Sequence, residues 1–280
     1  MMTEMMLQEK HGVMGAGISM LLNSPELVDF AESENHMAVL TCYETVWVAG
    51  PNVYGECRTG KWYCMTAIDV GAFHTVGLHS SGRVFAVGNN VMGQCETDGW
   101  HGIRSIAAGP VHTVALDGNG TVSAVGCNEY GECETGEWRD MTAIAAGAFY
   151  TAGLRKDGKV LVTGGINHKI IDAGCWEEVV CIVAGGHHLV GLRRDGTVLA
   201  AGRNAEGQCN VDQWHNITAV AAGDSHTVGL CADGEVVAAG SNNNGQCNVG
   251  TWREIKEVRA YHHATYAFAN KLADRLHCPV

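Results

Sequence analysis

The sequence contains no Cys-x-x-Cys pair, no Gly-x-Ser-x-Gly, no His-Glu-x-x-His and no phosphate-binding P-loop. Such patterns hold a redox pair, an acyl-transfer nucleophile, a metal-bound water or a nucleotide phosphate. Their absence leaves enzymatic activity without a motif. Positive charge is scarce, with 18 Lys and Arg against 30 Asp and Glu and a net charge of −12. Proteins that grip a phosphate backbone concentrate Lys and Arg, so nucleic acid is not the expected partner. An acidic surface aids solubility or attracts a basic protein. No apolar run is long enough to span a bilayer, and no membrane contact is expected. Residues 1–10 carry Glu4 and Glu9 and no basic flank before an apolar core, unlike an export signal. With 12 cysteines, this predicts reduced thiols and a cytoplasmic location.

What the chain has instead is repetition. Trp62, Trp100, Trp138, Trp176, Trp214 and Trp252 are spaced 38 residues apart. Leu40 to Leu230 and Gly50 to Gly240 keep the same step, as do His36, His74, His112, His188 and His226, with Tyr150 in the fourth place. Cys57, Cys95, Cys133, Cys209 and Cys247 form another column, interrupted by Ile171. A fixed period of this length means stacked structural units. Each unit reads as four short strands, as in Thr218 to Gly223, His226 to Leu230, Glu235 to Gly240 and Gly245 to Val249. The breaks carry turn chemistry, including Asp233-Gly234. No residues remain for a crossover helix. The expectation is an all-β, seven-bladed β-propeller of four-stranded blades, with six blades as the alternative. It fills residues 1–280 as one domain, with repeats starting near 24, 62, 100, 138, 176, 214 and 252. Gly12 and Gly17 keep the repeat register, so residues 1–19 are expected to close the last blade and residues 269–280 to form a tail. The fourth unit departs from the pattern at Lys169-Ile170-Ile171, which is drift or a functional graft.

The combination Ala-Ala-Gly-x-x-His-Thr-Val-Gly-Leu-x-x-Asp-Gly-x-Val-x-Ala-x-Gly-x-Asn-x-x-Gly-Gln-Cys at 221–247 resembles the regulator of chromosome condensation repeat. Less perfect copies stand at earlier places. The short repeats look like those of bacterial members, which include a β-lactamase-inhibiting propeller. The resemblance implies a seven-bladed propeller that binds a protein. It also brings in the exchange-factor activity of the eukaryotic founder as an alternative, although that protein's basic tail has no counterpart here. Photoreception, which in the plant member needs clustered Trp before the repeat His, is not supported by Ala72-Phe73 or its equivalents.

The repeated His is read as structural, each ring satisfying a turn backbone group. The repeated Cys is read as buried apolar packing, and the repeated Trp as packing between blades. Within His187-His188 and His262-His263 one imidazole is expected in the repeated column, leaving His187 and His262 in the turn. No metal and no cofactor are assigned. An enzyme using His168, His187 and a metal at the channel mouth is the alternative from another class, a metal-assisted lyase or hydrolase.

Strands of a meander connect alternately at two ends. The Gly-x-x-His turns and Gly-x-Asn-x-x-Gly loops therefore share one face, the top, and the Asp-Gly turns and Trp lead-ins share the bottom. Top residues of the first four units are apolar or aromatic, while Arg203, Glu206 and Asp224 make the fifth and sixth polar. Clustered exposed apolar residues mark binding surfaces. The candidate partner-binding residues are Tyr54, Phe73, Val91, Met92, Val111, Tyr130, Phe149, Ile166, His168 and His187. The expected protein is a monomeric, non-enzymatic scaffold that regulates or inhibits a protein partner through this face.

Overall fold

A computed structural model describes residues 26–165 and 172–270. Among them there is no helix, and the strands form seven antiparallel sheets. The first comprises β1 (Leu27–Glu32), β2 (Met37–Thr41) and β3 (Val46–Ala49), and the second β4 (Met65–Val70), β5 (His74–His79) and β6 (Val84–Gly88). The third holds β7 (Ile103–Ala108), β8 (His112–Asp117) and β9 (Val122–Gly126), and the fourth β10 (Met141–Ala146), β11 (Tyr150–Arg155) and β12 (Val160–Gly164). The fifth holds β13 (Val179–Ala184), β14 (His188–Arg193) and β15 (Val198–Gly202), and the sixth β16 (Ile217–Ala222), β17 (His226–Cys231) and β18 (Val236–Gly240). The seventh has two described strands, β19 (Glu257–Tyr261) and β20 (Ala264–Phe268).

The first strands of successive sheets are neighbours along the whole chain. Their Ala-rich sequences allow this crowding. In six sheets the pairing of the first strand slips after one residue, so Met65 faces His79 while Ala67 faces Leu78. Thr66, Thr142 and Thr218 sit at the slip and donate their hydroxyls to the carbonyls of Leu78, Leu154 and Leu230 at 3.2, 3.1 and 3.1 Å. Middle strands are buried over their first five residues, as in β5, β8 and β14. Hydrophobic clusters lie between sheets, with a Trp in most of them. Trp62 lies against Gly77, where an added Cβ would meet the indole at 2.7 Å. The inter-unit packing expected of Trp is therefore present.

Among the described residues the expected fourth strand is absent. The outer segments form tight turns, because side chains take up the backbone groups a ladder would use. Glu56, Gln94, Glu132, Gln208 and Gln246 are buried, and each accepts the N–H two residues before it. Asn52, Asn90, Asn128, Asn204 and Asn242 accept the N–H of the following Cys. Thr59, Thr97 and Thr135 donate to the carbonyls of Val46, Val84 and Val122 on the third strands.

The repeated cysteines are half-buried and free, not wholly buried. Four donate their thiol to a backbone carbonyl at the start of the same loop, as Cys133 does to Cys127 at 3.1 Å and Cys247 to Ser241 at 3.2 Å. Burial pushes Cys95 and Cys209 up to about 11 and Cys133 up to about 12. Cys42 is not among the free thiols.

The last sheet packs on the first. Phe30 of β1 stands edge-on to Tyr261, Tyr266 and Phe268, with ring centroids 5.3, 5.0 and 5.9 Å apart. The Tyr261 hydroxyl donates to the Phe30 carbonyl at 2.6 Å, and the Tyr266 hydroxyl to Glu32 at 2.5 Å. Gly12, Gly17 and residues 1–19, expected to complete the last blade, lie outside the described residues, as do Ile166 and His168.

Candidate protein-binding face

The two faces assort as the meander requires. On the top, the loop after the third strand bonds the turn of its own sheet in the second to sixth sheets, as Asn89 N–H does to the Phe73 carbonyl (2.8 Å) and Ser241 N–H to Ser225 (2.8 Å). At the other end, Met141 N–H bonds the Gly120 carbonyl (3.0 Å) and Ile217 N–H bonds Gly196 (3.0 Å), which joins each lead-in to an Asp-Gly turn or its equivalent.

Below the top turns runs a belt of buried imidazoles. His36, His74, His112, His188 and His226 point Nε2 at the hydroxyls of Thr75, Thr113, Thr151, Thr227 and Thr265 in the next sheet, at 2.9–3.0 Å. Each of those threonines already donates to the carbonyl of a buried Glu or Gln. A hydroxyl has one proton, so it must accept from the imidazole, whose Nε2 therefore carries a proton. Burial drives the pKa of His74 down to about 3 and those of His112 and His188 down to about 4. The turn glycine is needed here. At Gly71, a Cβ would lie 2.1 Å from the His74 ring. The histidines thus staple neighbouring sheets and do not cap their own turns as expected. In the fourth place Tyr150 takes over, donating to the carbonyls of His188 (2.5 Å) and Gly185 (3.2 Å).

The top turns and loops lie above this belt. Turn residues bond to the next turn, as Ala72 N–H to Pro110 (3.1 Å) and Ala148 N–H to Gly186 (2.8 Å). Each loop tip stands beside the turn of the following sheet. Tyr54 meets Phe73 edge-on at 5.3 Å, and Tyr130 meets Phe149 edge-on at 5.3 Å. His187 stacks on Phe149 at 5.7 Å with an interplanar angle of 16°. Phe73, Val111, Phe149 and His187 are half-buried. Tyr54, Tyr130, Val91 and Met92 are exposed at 50%, 41%, 81% and 54%. Seven of the expected rim residues are thus aromatic or aliphatic side chains on one face, with His187 at their margin. Burial lowers the His187 pKa, as does Arg203, while Asp224 raises it.

Beyond His187 the rim is ionisable. Asp224, His262, His263 and Glu34 occupy successive top turns. Both His262 and His263 lie in the two-residue turn between Tyr261 and Ala264, which pair across it. Ala264, not an imidazole, holds the repeated column, so the expectation that one of the pair would do so fails. Deeper, the inner strands carry Asp29, Asp69, Glu257 and Arg259. Arg259 pairs with Glu257 at 2.7 Å and lies 3.7 Å from Asp29. Asp69 accepts the N–H groups of Val70 and Ala108, both at 2.8 Å. Burial pushes Asp29 up to about 6, against the pull of Arg259, and Asp69 up to about 7.

Three exposed aromatics were missed. Tyr43 and Tyr63 stand near the bottom turn and lead-in of the first two units, and Trp47 lies on β3, with exposures of 63%, 61% and 59%. The Tyr43 and Tyr63 columns repeat no aromatic and the Trp47 column repeats one only at Phe85, so the period gave no steady signal for them.

The family profile of the regulator of chromosome condensation repeat matches residues 65–94, 103–132, 179–208 and 217–246. Each span starts on a first strand and ends on a buried Gln or Glu. No curated protein matches the chain in sequence. Among solved structures, Prp20p from Saccharomyces cerevisiae is 18% identical, covering 89% of this chain and 84% of its own, with a TM-score of 0.66. Human WBSCR16 is 17% identical, covering 86% of each chain at 0.68. The ectodomain of receptor kinase CR4 from Physcomitrella patens is 20% identical, covering 83% of this chain and 68% of its own at 0.66. These likenesses establish the fold alone.

Proposed function

We propose, from the premise that this chain carries regulator of chromosome condensation repeats, that it is a non-enzymatic scaffold that binds a protein partner through the top face. The observation that carries this reading is the arc of Tyr54, Val91, Met92 and Tyr130. These side chains stay exposed although their loops are held rigidly from below by buried Glu or Gln. An apolar surface on a pre-organised frame loses little entropy on docking. Prp20p was described with its binding to Gsp1p and histones, and with Kap60 bound to it. Only the class, a protein partner, is carried over. For the architecture we propose seven blades. The last sheet has two described strands, which leaves room for residues 1–19 to add the third.

The test is capture from the native cell followed by titration calorimetry. Tyr54→Ala and Tyr130→Ala should each weaken the captured partner by about 2 kcal/mol, a typical hot-spot cost. Arg155, Lys156, Arg193 and Arg194 lie in the bottom turns, and replacing them should leave binding unchanged. Loss of binding in the bottom set alone would defeat the assignment and point to the Tyr43 and Tyr63 end.

A further inference from the structure

We propose that Asp224, His262 and His263 form a binding site for a borderline divalent transition metal of the zinc class, on the ionisable half of the top rim. The inference stands independently of the protein-binding reading. One ligand atom from each residue lies within 4.8 Å of the others. Asp224 Oδ2 is 2.5 Å from His262 Nδ1, and the His262 and His263 rings are 4.3 Å apart.

Three features make this more than a chance cluster. First, the ligands are held by backbone. Asp224 N–H bonds the His262 carbonyl at 2.8 Å, which ties the sixth sheet's turn to the seventh's. His262 has a φ of 42°, in the left-handed region that favours glycine, which brings two sequence-adjacent imidazoles together at one tight turn. Second, Glu34 Oε2 lies 3.8 Å from His262 Nε2, the ring nitrogen turned away from Asp224. At this distance the pair is not a hydrogen bond; closing on the far nitrogen of a metal-bound imidazole, the carboxylate would fix the ring's orientation and raise its basicity. Third, the fold does not ask for these residues. Equivalent turns hold Ala72-Phe73, Pro110-Val111 and Ala148-Phe149, none of which carries a metal-ligating side chain.

Two imidazoles and one carboxylate suit zinc, cobalt or nickel better than magnesium or calcium, which prefer oxygen. Three protein ligands leave at least one position for water or a donor from another molecule. Tetrahedral zinc with bonds of about 2.0–2.2 Å sets its ligand atoms about 3.4 Å apart. The widest pair therefore has to close by up to about 1.4 Å through side-chain rotation, and the metal displaces the Asp224–His262 hydrogen bond.

The experiment uses untagged, chelator-treated full-length protein titrated with Zn²⁺, and with Co²⁺ to read the ligand type. One equivalent should bind and raise the melting temperature, as a ligand of the native state must. His263→Ala and Asp224→Asn should each weaken binding more than about tenfold, and Glu34→Gln by about tenfold. Mg²⁺ and Ca²⁺ should not compete. Co²⁺ should give the visible bands of nitrogen and oxygen ligation without a thiolate charge-transfer band. If His262→Ala fails to fold, His263→Ala carries the test, because Asp224 and His262 still join the two turns in it. Equal Zn²⁺ affinity in wild type and His263→Ala, a thiolate band from the cysteines, or no binding at all would overturn the proposal.

Discussion

At one level of the molecule, just below the top turns, the same joint is built again and again. An imidazole from one sheet donates to a threonine hydroxyl of the next, and the threonine donates to the carbonyl of a buried Glu or Gln. A residue or two away in the chain, the top turns keep no common pattern, with only Ala-Phe occurring twice. They read Glu34-Asn35, Ala72-Phe73, Pro110-Val111, Ala148-Phe149, Gly186-His187, Asp224-Ser225 and His262-His263. The belt recurs in five units because a buried polar group must find its partner, while Tyr150 takes the place in the fourth unit and Ala264 in the seventh. The rim is free of that constraint, since its backbone groups are satisfied within the turns and loops. Its side chains are therefore free to differ from one unit to the next.

The largest expected effect would break the belt at its end. β20 has no third strand among the described residues, and Phe30, Tyr261 and Tyr266 hold the first and last sheets together. If residues 1–19 complete that sheet, deleting residues 1–20 opens an edge. Aggregation or a large drop in melting temperature should follow. A truncated protein as stable as the full chain would leave the closing segment unneeded.

Next is a single joint. His112→Ala removes a buried ring and strands Thr151, at a cost of about 2–4 kcal/mol in urea unfolding. The chain contains its own control. Where Tyr150 replaces His, Leu189 stands in the threonine column and Tyr150 donates to backbone carbonyls. His112→Tyr combined with Thr151→Leu should therefore recover much of the loss that His112→Ala incurs. Recovery no better than in His112→Tyr alone would show that the pairing is not the unit of the joint.

The belt also predicts pH dependence. Folded His74, His112 and His188 titrate at about 3–4, whereas an unperturbed imidazole titrates near 6.5. Above pH 6.5 both states are neutral and the contribution is complete. As pH falls toward 4 the unfolded chain binds protons that the folded one does not, so stability is lost. Asp29 and Asp69, raised to about 6 and 7 from 3.8, act in the opposite sense and add stability as pH falls through the same range. Four belt histidines, His36, His74, His112 and His188, have lowered pKa values against two such carboxyls, so the net effect should be a falling melting temperature between pH 6.5 and 4.5. The His112→Tyr, Thr151→Leu protein should show a shallower slope. A melting temperature that rises through this range would mean that the inner-strand carboxyls dominate.

The same contrast explains what could be read in advance. The 38-residue period and the turn residues were enough for an all-β array of repeated antiparallel sheets, because those features follow from backbone geometry that the units share. The fourth strand was misjudged because Gly-Gln-Cys has the length of a strand, and only coordinates reveal that Gln94 and Asn90 take its backbone donors. The His staple was hidden because its partner lies 39 residues away in the chain, in another sheet. The departure of the fourth unit becomes partly intelligible. Tyr150 and Leu189 exchange a polar joint for one with an apolar member, and Ile170 falls in the sequence column of the buried Glu and Gln. The Asp224, His262 and His263 cluster was missed because it draws on turns 38 residues apart, and His262-His263 was read in the wrong register.

The smallest effect tests whether the rim is as independent of folding as this argument requires. Tyr54 and Phe73 meet edge-on at 5.3 Å, with Tyr54 half exposed and Phe73 half-buried beneath it. If the pair exists for docking, its contribution to folding should be that of a partly solvated aromatic contact. A double-mutant cycle of Tyr54→Ala and Phe73→Ala, followed by urea unfolding, should give a coupling of about 0.5–1 kcal/mol. Tyr54→Ala alone should cost about 0.5 kcal/mol or less, as exposed positions usually do. The Tyr130 and Phe149 pair should behave alike, with a little more coupling where His187 stacks on Phe149. Coupling of about 2 kcal/mol or more would place these rings among the contacts that hold the sheets together. The apolar half of the rim would then belong to the repeated interior, and the exposed Val91 and Met92 alone would be left to meet a partner.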